Sequence, residues 1–168
     1  MDQEELYQKM VTKVIVFLAY KPRTRKEVAT RLARYLQSHT RSSDVVKEAV
    51  TRQIFDYLAA NKLIDDEDYT RLFIAAKTAG TKALGRRAIE IKLIAKGIAK
   101  DEAARYVGAA ITDEAELKAA IGLLTRKFGA TLGRSSSVLQ DKAGRYLISR
   151  GFAFATARQA VDYLVKRP

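Results

Sequence analysis

Gly80–Arg87, GTKALGRR, carries two glycines at the spacing of a phosphate-binding loop. Such a loop needs Lys next, for the phosphates, and then Ser or Thr for Mg²⁺. Arg86 and Arg87 stand there instead, and a helical pattern rather than a strand precedes them. The two glycines read as an interhelix turn. Asp65–Asp68 is a run of acids that invites comparison with a calcium loop. That loop needs oxygen ligands at alternate positions, a glycine turn and a distant Glu, a pattern that is absent. His39, in QSHTRSSD, is the only histidine and lies in a polar connection without Cys or carboxylate partners at metal-ligand spacing. GRSSS, Gly133–Ser137, offers hydroxyls that suit helix capping, and no histidine lies near in sequence to activate a serine. The absence of Cys excludes disulfides, thiolate metal sites and Cys nucleophiles, and fits a reducing compartment. A catalytic site, a metal and a cofactor are all unexpected here.

The acid run has a structural reading. Asp65 suits an N-cap, and Asp66, Glu67 and Asp68 then sit at the positive end of the helix dipole. Ile64 and Tyr69 fall at the hydrophobic-staple positions. Tyr69, Leu72, Phe73 and Ala76 follow at helical spacing, with Gly80 as the stop. Ala, Leu, Lys, Arg and Glu dominate the chain, prolines occur only at Pro22 and Pro168, and strict apolar–polar alternation is hard to find. The fold class predicted is all-α. The start, MDQEELYQKM, is unlike a secretory signal, and VIVFLAY is too short to span a bilayer. A cytoplasmic protein with no membrane partner is expected.

Internal similarity organises these helices. RRAIEIKLIAKGI (Arg86–Ile98) matches QDKAGRYLISRGF (Gln140–Phe152), pairing Leu93 with Leu147, Lys96 with Arg150, Gly97 with Gly151, and Ile98 with Phe152. TRKEVATRLARYL (Thr24–Leu36) is a fainter copy in which Leu32 takes the Leu position and Leu36 replaces the glycine, so its helix should end differently. Flanking stripes supply neighbours: Leu6, Met10, Val14 and Leu18; Val46, Val50, Ile54 and Leu58; Leu117, Ile121 and Leu124. Thr24 with Glu27 forms a capping box, and Thr112 caps a later helix. In the second repeat, helices are predicted near Asp65–Ala79, Arg86–Lys96 and Lys100–Ala110. The third should hold Ser135–Arg150 and Ala155–Lys166 after the helix capped by Thr112. The expected architecture is three tandem three-helix repeats, residues 1–62, 63–111 and 112–168, stacked into an elongated, curved array.

Charge follows the repeat. The chain holds 31 Lys and Arg against 19 Asp and Glu, a formal net charge of +12. Bases gather in Lys21–Arg34, Lys77–Lys100 and Arg126–Arg150, whereas acids gather before the first helix of each repeat. Three basic bands suit a polyanion or an acidic protein assembly. The eight tyrosines fall mostly at helical apolar positions and read as core, with Tyr20, Tyr35 and Tyr146 within or beside the bands.

LIDDEDYTRLFIAAK, LGRRAIEIKLIAKGI and KAGRYLISRGF, in this order, resemble the RecX family of regulators of the bacterial RecA recombinase. The family pattern of an acidic pair and an aromatic falls on Asp65, Asp66 and Tyr69. Its later glycine, base, apolar residue, Leu and Lys-Gly-Ile fall on Gly85, Arg87, Ile89, Leu93 and Lys96–Ile98. FLAYKPRTRKEVATRL, Phe17–Leu32, resembles the first repeat, and the likeness covers about residues 13–165. An Arg common in the family is Ala88 here, and the first repeat lacks the glycine stop. The resemblance implies a non-enzymatic protein that binds RecA filaments on DNA and lowers RecA's ATPase, strand exchange and coprotease activities by blocking filament growth or promoting disassembly. The implied partner is the RecA nucleoprotein filament, with single- or double-stranded DNA as a further partner, and a monomer is expected. The candidate contacts are Arg25, Lys26, Lys82, Arg86, Arg87, Lys92, Lys96, Arg145 and Arg150. The competing reading is a free-standing helical DNA-binding protein of helix-turn-helix type, which would use a single recognition helix.

Overall fold

The computed structural model describes residues 2–38, 42–129 and 137–166. Among them the chain is all-α, without a strand: α1 Gln3–Tyr20, α2 Arg25–Gln37, α3 Asp44–Ala60, α4 Asp66–Thr78, α5 Arg86–Ala95, α6 Lys100–Ala110, α7 Asp113–Phe128, α8 Ser137–Ser149 and α9 Phe154–Val165. Local chemistry sets most starts. Asp2, Thr24, Ser43 and Thr112 each accept an N–H of the first turn through their side chains. Thr24 and Glu27 complete the expected capping box. Asp65 Oδ1 accepts from the Asp68 N–H at 2.9 Å, so it does cap α4. His39 and the first two serines of GRSSS, Ser135 and Ser136, lie outside the described residues.

Three helices share one kind of stop. Leu63, Ile98 and Phe152 each donate their N–H to the carbonyl five residues back, at 2.9, 3.1 and 3.1 Å. The residue before each is left-handed: Lys62 at φ 52°, Gly97 at 99° and Gly151 at 85°. Lys62 holds this conformation without glycine's freedom. α2 ends otherwise: Leu36, in the glycine position, is buried, and the helix runs on to a right-handed Ser38.

By internal contacts the chain divides into two compact units, Met1–Tyr69 and Thr70–Pro168, the division falling within α4. In the first unit Leu6, Met10 and Val14 of α1 meet Val28, Leu32 and Leu36 of α2 and Val50, Ile54 and Leu58 of α3. The second unit holds two apolar clusters. Ile74, Ile89, Leu93, Ile98, Ala103, Val107 and Ile111 form one, across α4, α5 and α6. Leu123, Leu124, Ala143, Leu147, Phe152, Ala157, Ala160 and Val161 centre the other, across α7, α8 and α9. Ala83, in the turn before α5, packs into that last cluster. Each fully buried Leu or Phe contributes about 1.5–3 kcal/mol of burial.

The expected stripe on α4 is only partly in phase with the core. Thr70 and Ile74 are buried there, whereas Leu72 and Ala76 are exposed. Tyr69 and Phe73 of the stripe are half-buried, and Phe73 packs against the cluster, so the core face is turned only part of the way from the expected one, toward Thr70, which does not register as apolar. α7 differs in the same way: Leu117 and Ile121 are half-buried, while Glu116, Ala120 and Leu123 line its inner face beside Leu124.

The turn after α8 sits against the start of α5. A Cβ on Gly151 would lie 2.3 Å from the Ala88 Cβ, and one on Gly85 would lie 2.3 Å from the Gly151 carbonyl oxygen. The Gly85 N–H donates to the Arg150 carbonyl at 3.0 Å. Gly151→Ala is therefore expected to destabilise the protein by about 2–4 kcal/mol, combining left-handed strain with overpacking. Gly108→Ala in α6, where an added Cβ meets nothing within 4 Å, should stabilise by about 0.5–1 kcal/mol. Urea unfolding of the two variants checks both signs.

Candidate functional site

The acids that gather at helix starts reach beyond their own helices. The Asp66 carboxylate, in the first turn of α4, accepts the Arg25 backbone N–H at 2.8 Å. Arg25 is the first residue of α2, where an N–H has no intrahelical acceptor. Glu116 of α7 does the same for α5, accepting the N–H of its first residue, Arg86, at 2.9 Å. α5 has Gly85 at its N-cap and no side-chain cap of its own. Glu116 is 5% exposed. Its second oxygen lies 3.6 Å from the Arg86 Nε and accepts from the Thr156 hydroxyl at 3.4 Å. The Arg86 guanidinium also pairs with Asp113, at the first position of α7.

The candidate cations thus separate by employment. Arg86 is not the free surface residue that the basic band suggested: it is half-buried and matched to a buried carboxylate that needs a counter-charge. Arg25 is exposed, with its guanidinium 4.5 Å from the centre of the Phe55 ring. Arg150 is half-buried, and its Nε donates to the Tyr146 hydroxyl at 3.4 Å. Lys96 is half-buried at the C-cap of α5. Lys26, Lys82, Arg87, Lys92 and Arg145 are exposed, with no acid or ring beside their charged groups among the described residues. The first unit holds Arg25 and Lys26; the second holds the other seven.

A set of cation–ring contacts escaped the sequence reading. In the first unit Arg23 lies 4.2 Å and Arg31 5.5 Å from the centre of the Phe17 ring, and Lys13 and Arg31 flank Tyr35 at 5.2 and 4.9 Å. In the second, Lys127 lies 3.8 Å from the centre of the Tyr146 ring. The Arg31–Tyr35 and Tyr146–Arg150 pairs have i,i+4 spacing and were open to sequence; Arg23 reaches Phe17 across a turn and was not. Tyr35 and Tyr146 are half-buried under these cations, whereas Tyr20 is 82% exposed and is no part of the core. The described residues contain no cluster of His, Asp or Glu able to hold a metal, and no helix long and apolar enough to cross a membrane.

No family model matches the chain. Individual relatives do. A protein of Streptococcus gordonii called regulatory protein RecX is 29% identical over 151 residues, covering 88% of this chain and 52% of its own length. A Chlorobium limicola protein of the same name is 29% identical over 118 residues, 70% of this chain and 71% of the relative. The crystal structure of RecX from Lactobacillus salivarius superposes with a TM-score of 0.72, at 22% identity, over 96% of this chain and 97% of that one. The chain is RecX-like in sequence and in fold. It spans about half the length of the streptococcal RecX relative.

The residues that carry the RecX likeness have mechanical roles. Asp66 of the acidic pair caps α2, and Gly85 admits the Gly151 turn. Gly97 ends α5 in the left-handed region. Ala88 packs directly against Gly151, and the free charge beside it sits one residue earlier on Arg87. Glu116→Ala is expected to lower stability by about 2–4 kcal/mol, because it uncaps α5 and strips Arg86 of its buried partner. Arg87→Ala should stay within about 0.5 kcal/mol of the parent. Thermal unfolding monitored by circular dichroism distinguishes the two outcomes.

Proposed function

We propose that this chain is a non-enzymatic regulator of RecA that binds RecA filaments on DNA and inhibits RecA's ATPase, strand exchange and coprotease activities. It does so by blocking filament extension or promoting disassembly. The observation that carries the reading is the RecX likeness over 88% of the chain. Unpaired cations on α2, on α5 and its preceding turn, and on α8 add physical support. We assign them to three consecutive three-helix repeats, residues 1–62, 63–111 and 112–168, in keeping with the three separate apolar clusters. Contacts repeated along one chain can engage successive protomers of a filament. Each contact is weak, but the second and third form at high effective concentration, so a filament is bound more tightly than a free subunit. The protein acts as a cytoplasmic monomer, with DNA as a secondary ligand.

The test is RecA's DNA-dependent ATPase titrated with this protein at two salt concentrations. Inhibition at or below one protein per RecA, weakening as salt rises, is the expected result. A flat titration with folded protein overturns the reading. Inhibition that appears only when the protein coats all the DNA favours the free-standing DNA binder. Lys82→Ala/Arg87→Ala/Lys92→Ala should weaken cosedimentation with filaments at nearly unchanged melting temperature. Arg86 is left in place because its removal disturbs Glu116.

A further inference from the structure

α5 exposes more than charge. Ile91 is 67% and Ile94 38% exposed, on a helix whose inner face already buries Ile89 and Leu93. Arg87, Ile91 and Ile94 follow at i, i+4 and i+7, so they share one face, and Lys92 adjoins it. Arg87 and Lys92 are exposed and have no partner among the described residues; half-buried Glu90 is the single acid of the helix. The pattern recurs on α8. Ile148, one residue after buried Leu147 as Ile94 is one after buried Leu93, is 45% exposed. It borders a groove of about 530 Å³ between α8 and α9 that also takes in Phe154, 67% exposed, and the unpaired Arg145.

A phosphate backbone uses cations and hydrogen-bond donors, and two aliphatic side chains in the middle of the face offer it nothing. A protein interface is built the other way, with an apolar centre and a charged rim. A cationic rim on a chain of net charge +12 calls for an acidic rim opposite. We propose that the α5 face, centred on Ile91 and Ile94, contacts protein rather than DNA: an apolar spot bordered by Asp or Glu on the surface of the RecA protomer. Ile148 and Phe154 form a second exposed apolar spot, whose rim is mixed, with Arg145 and Arg158 beside Asp141 and Asp162. This rests on the RecA reading above and adds which macromolecule the face meets. The apolar centre holds the partner, and the cations orient it and speed its arrival.

The experiment compares the parent with Ile91→Ser/Ile94→Ser and with Ile91→Lys. Cosedimentation with RecA filaments is measured beside fluorescence anisotropy with a labelled single-stranded oligonucleotide. The expected result for the serine pair is a loss of filament affinity of about tenfold or more, with oligonucleotide affinity unchanged. Ile91→Lys, which keeps a good helix former, should likewise weaken filament binding while leaving oligonucleotide binding equal or slightly stronger. It also serves if the serine pair proves unstable. Filament affinity unchanged in both variants overturns the proposal. A gain in filament affinity for Ile91→Lys, or a parallel fall in filament and oligonucleotide binding for the serine pair, assigns the face to nucleic acid and overturns it too. A parent protein that ignores filaments removes the RecA reading itself, and this partner with it.

Discussion

The carboxylate of Glu116 is the interaction on which the second unit depends. Buried charge is costly unless its oxygens are satisfied, and here each one is. One oxygen takes the uncapped first N–H of α5; the other faces the Arg86 Nε and the Thr156 hydroxyl. Three helices, α5, α7 and α9, therefore meet at one charged group, which also lies at the positive end of the α5 dipole. Because α5 has only Gly85 at its N-cap, the cap must come from another helix. Gly85 in turn is required by the turn after α8, whose backbone leaves no room for a Cβ. The missing side-chain cap and the close approach are two consequences of the same contact.

The first unit solves the same problem with different parts. Thr24 caps α2 from within through its hydroxyl, and the Asp66 carboxylate takes the first N–H. The concentration of acid at helix starts in so basic a chain follows from this. Four of these acids face amide protons, either of their own helix, as Asp65 and Asp2 do, or of a neighbour, as Asp66 and Glu116 do. The positive charge is divided with equal economy. Arg23, Arg31 and Lys13 lie over Phe17 and Tyr35, and Arg86 answers Glu116, so these cations serve the fold. Lys26, Lys82, Arg87, Lys92 and Arg145 remain outside such arrangements. A basic band in sequence is thus two populations in space, and only the second is free to meet a ligand without a structural cost.

The sequence by itself determined what depends on neighbours within one turn. The capping box at Thr24, the Asp65 cap, the left-handed stops at Gly97 and Gly151, and the all-α class all rest on interactions spanning five residues or fewer, so they are legible in the order of residue types. The pairing of the α5 and α8 segments was legible for the same reason, since each repeats the same local signals. Tertiary structure alone decided the rest. The inner face of α4 carries Thr70, and that of α7 carries Glu116, polar residues that an apolar pattern passes over; the partners of Glu116 lie on α5 and α9. Arg86 and Arg87 are adjacent and chemically alike. A rotation of about 100° between successive helical positions puts one against a buried carboxylate and the other in solvent. Only the packing of α7 beside α5 makes that rotation matter.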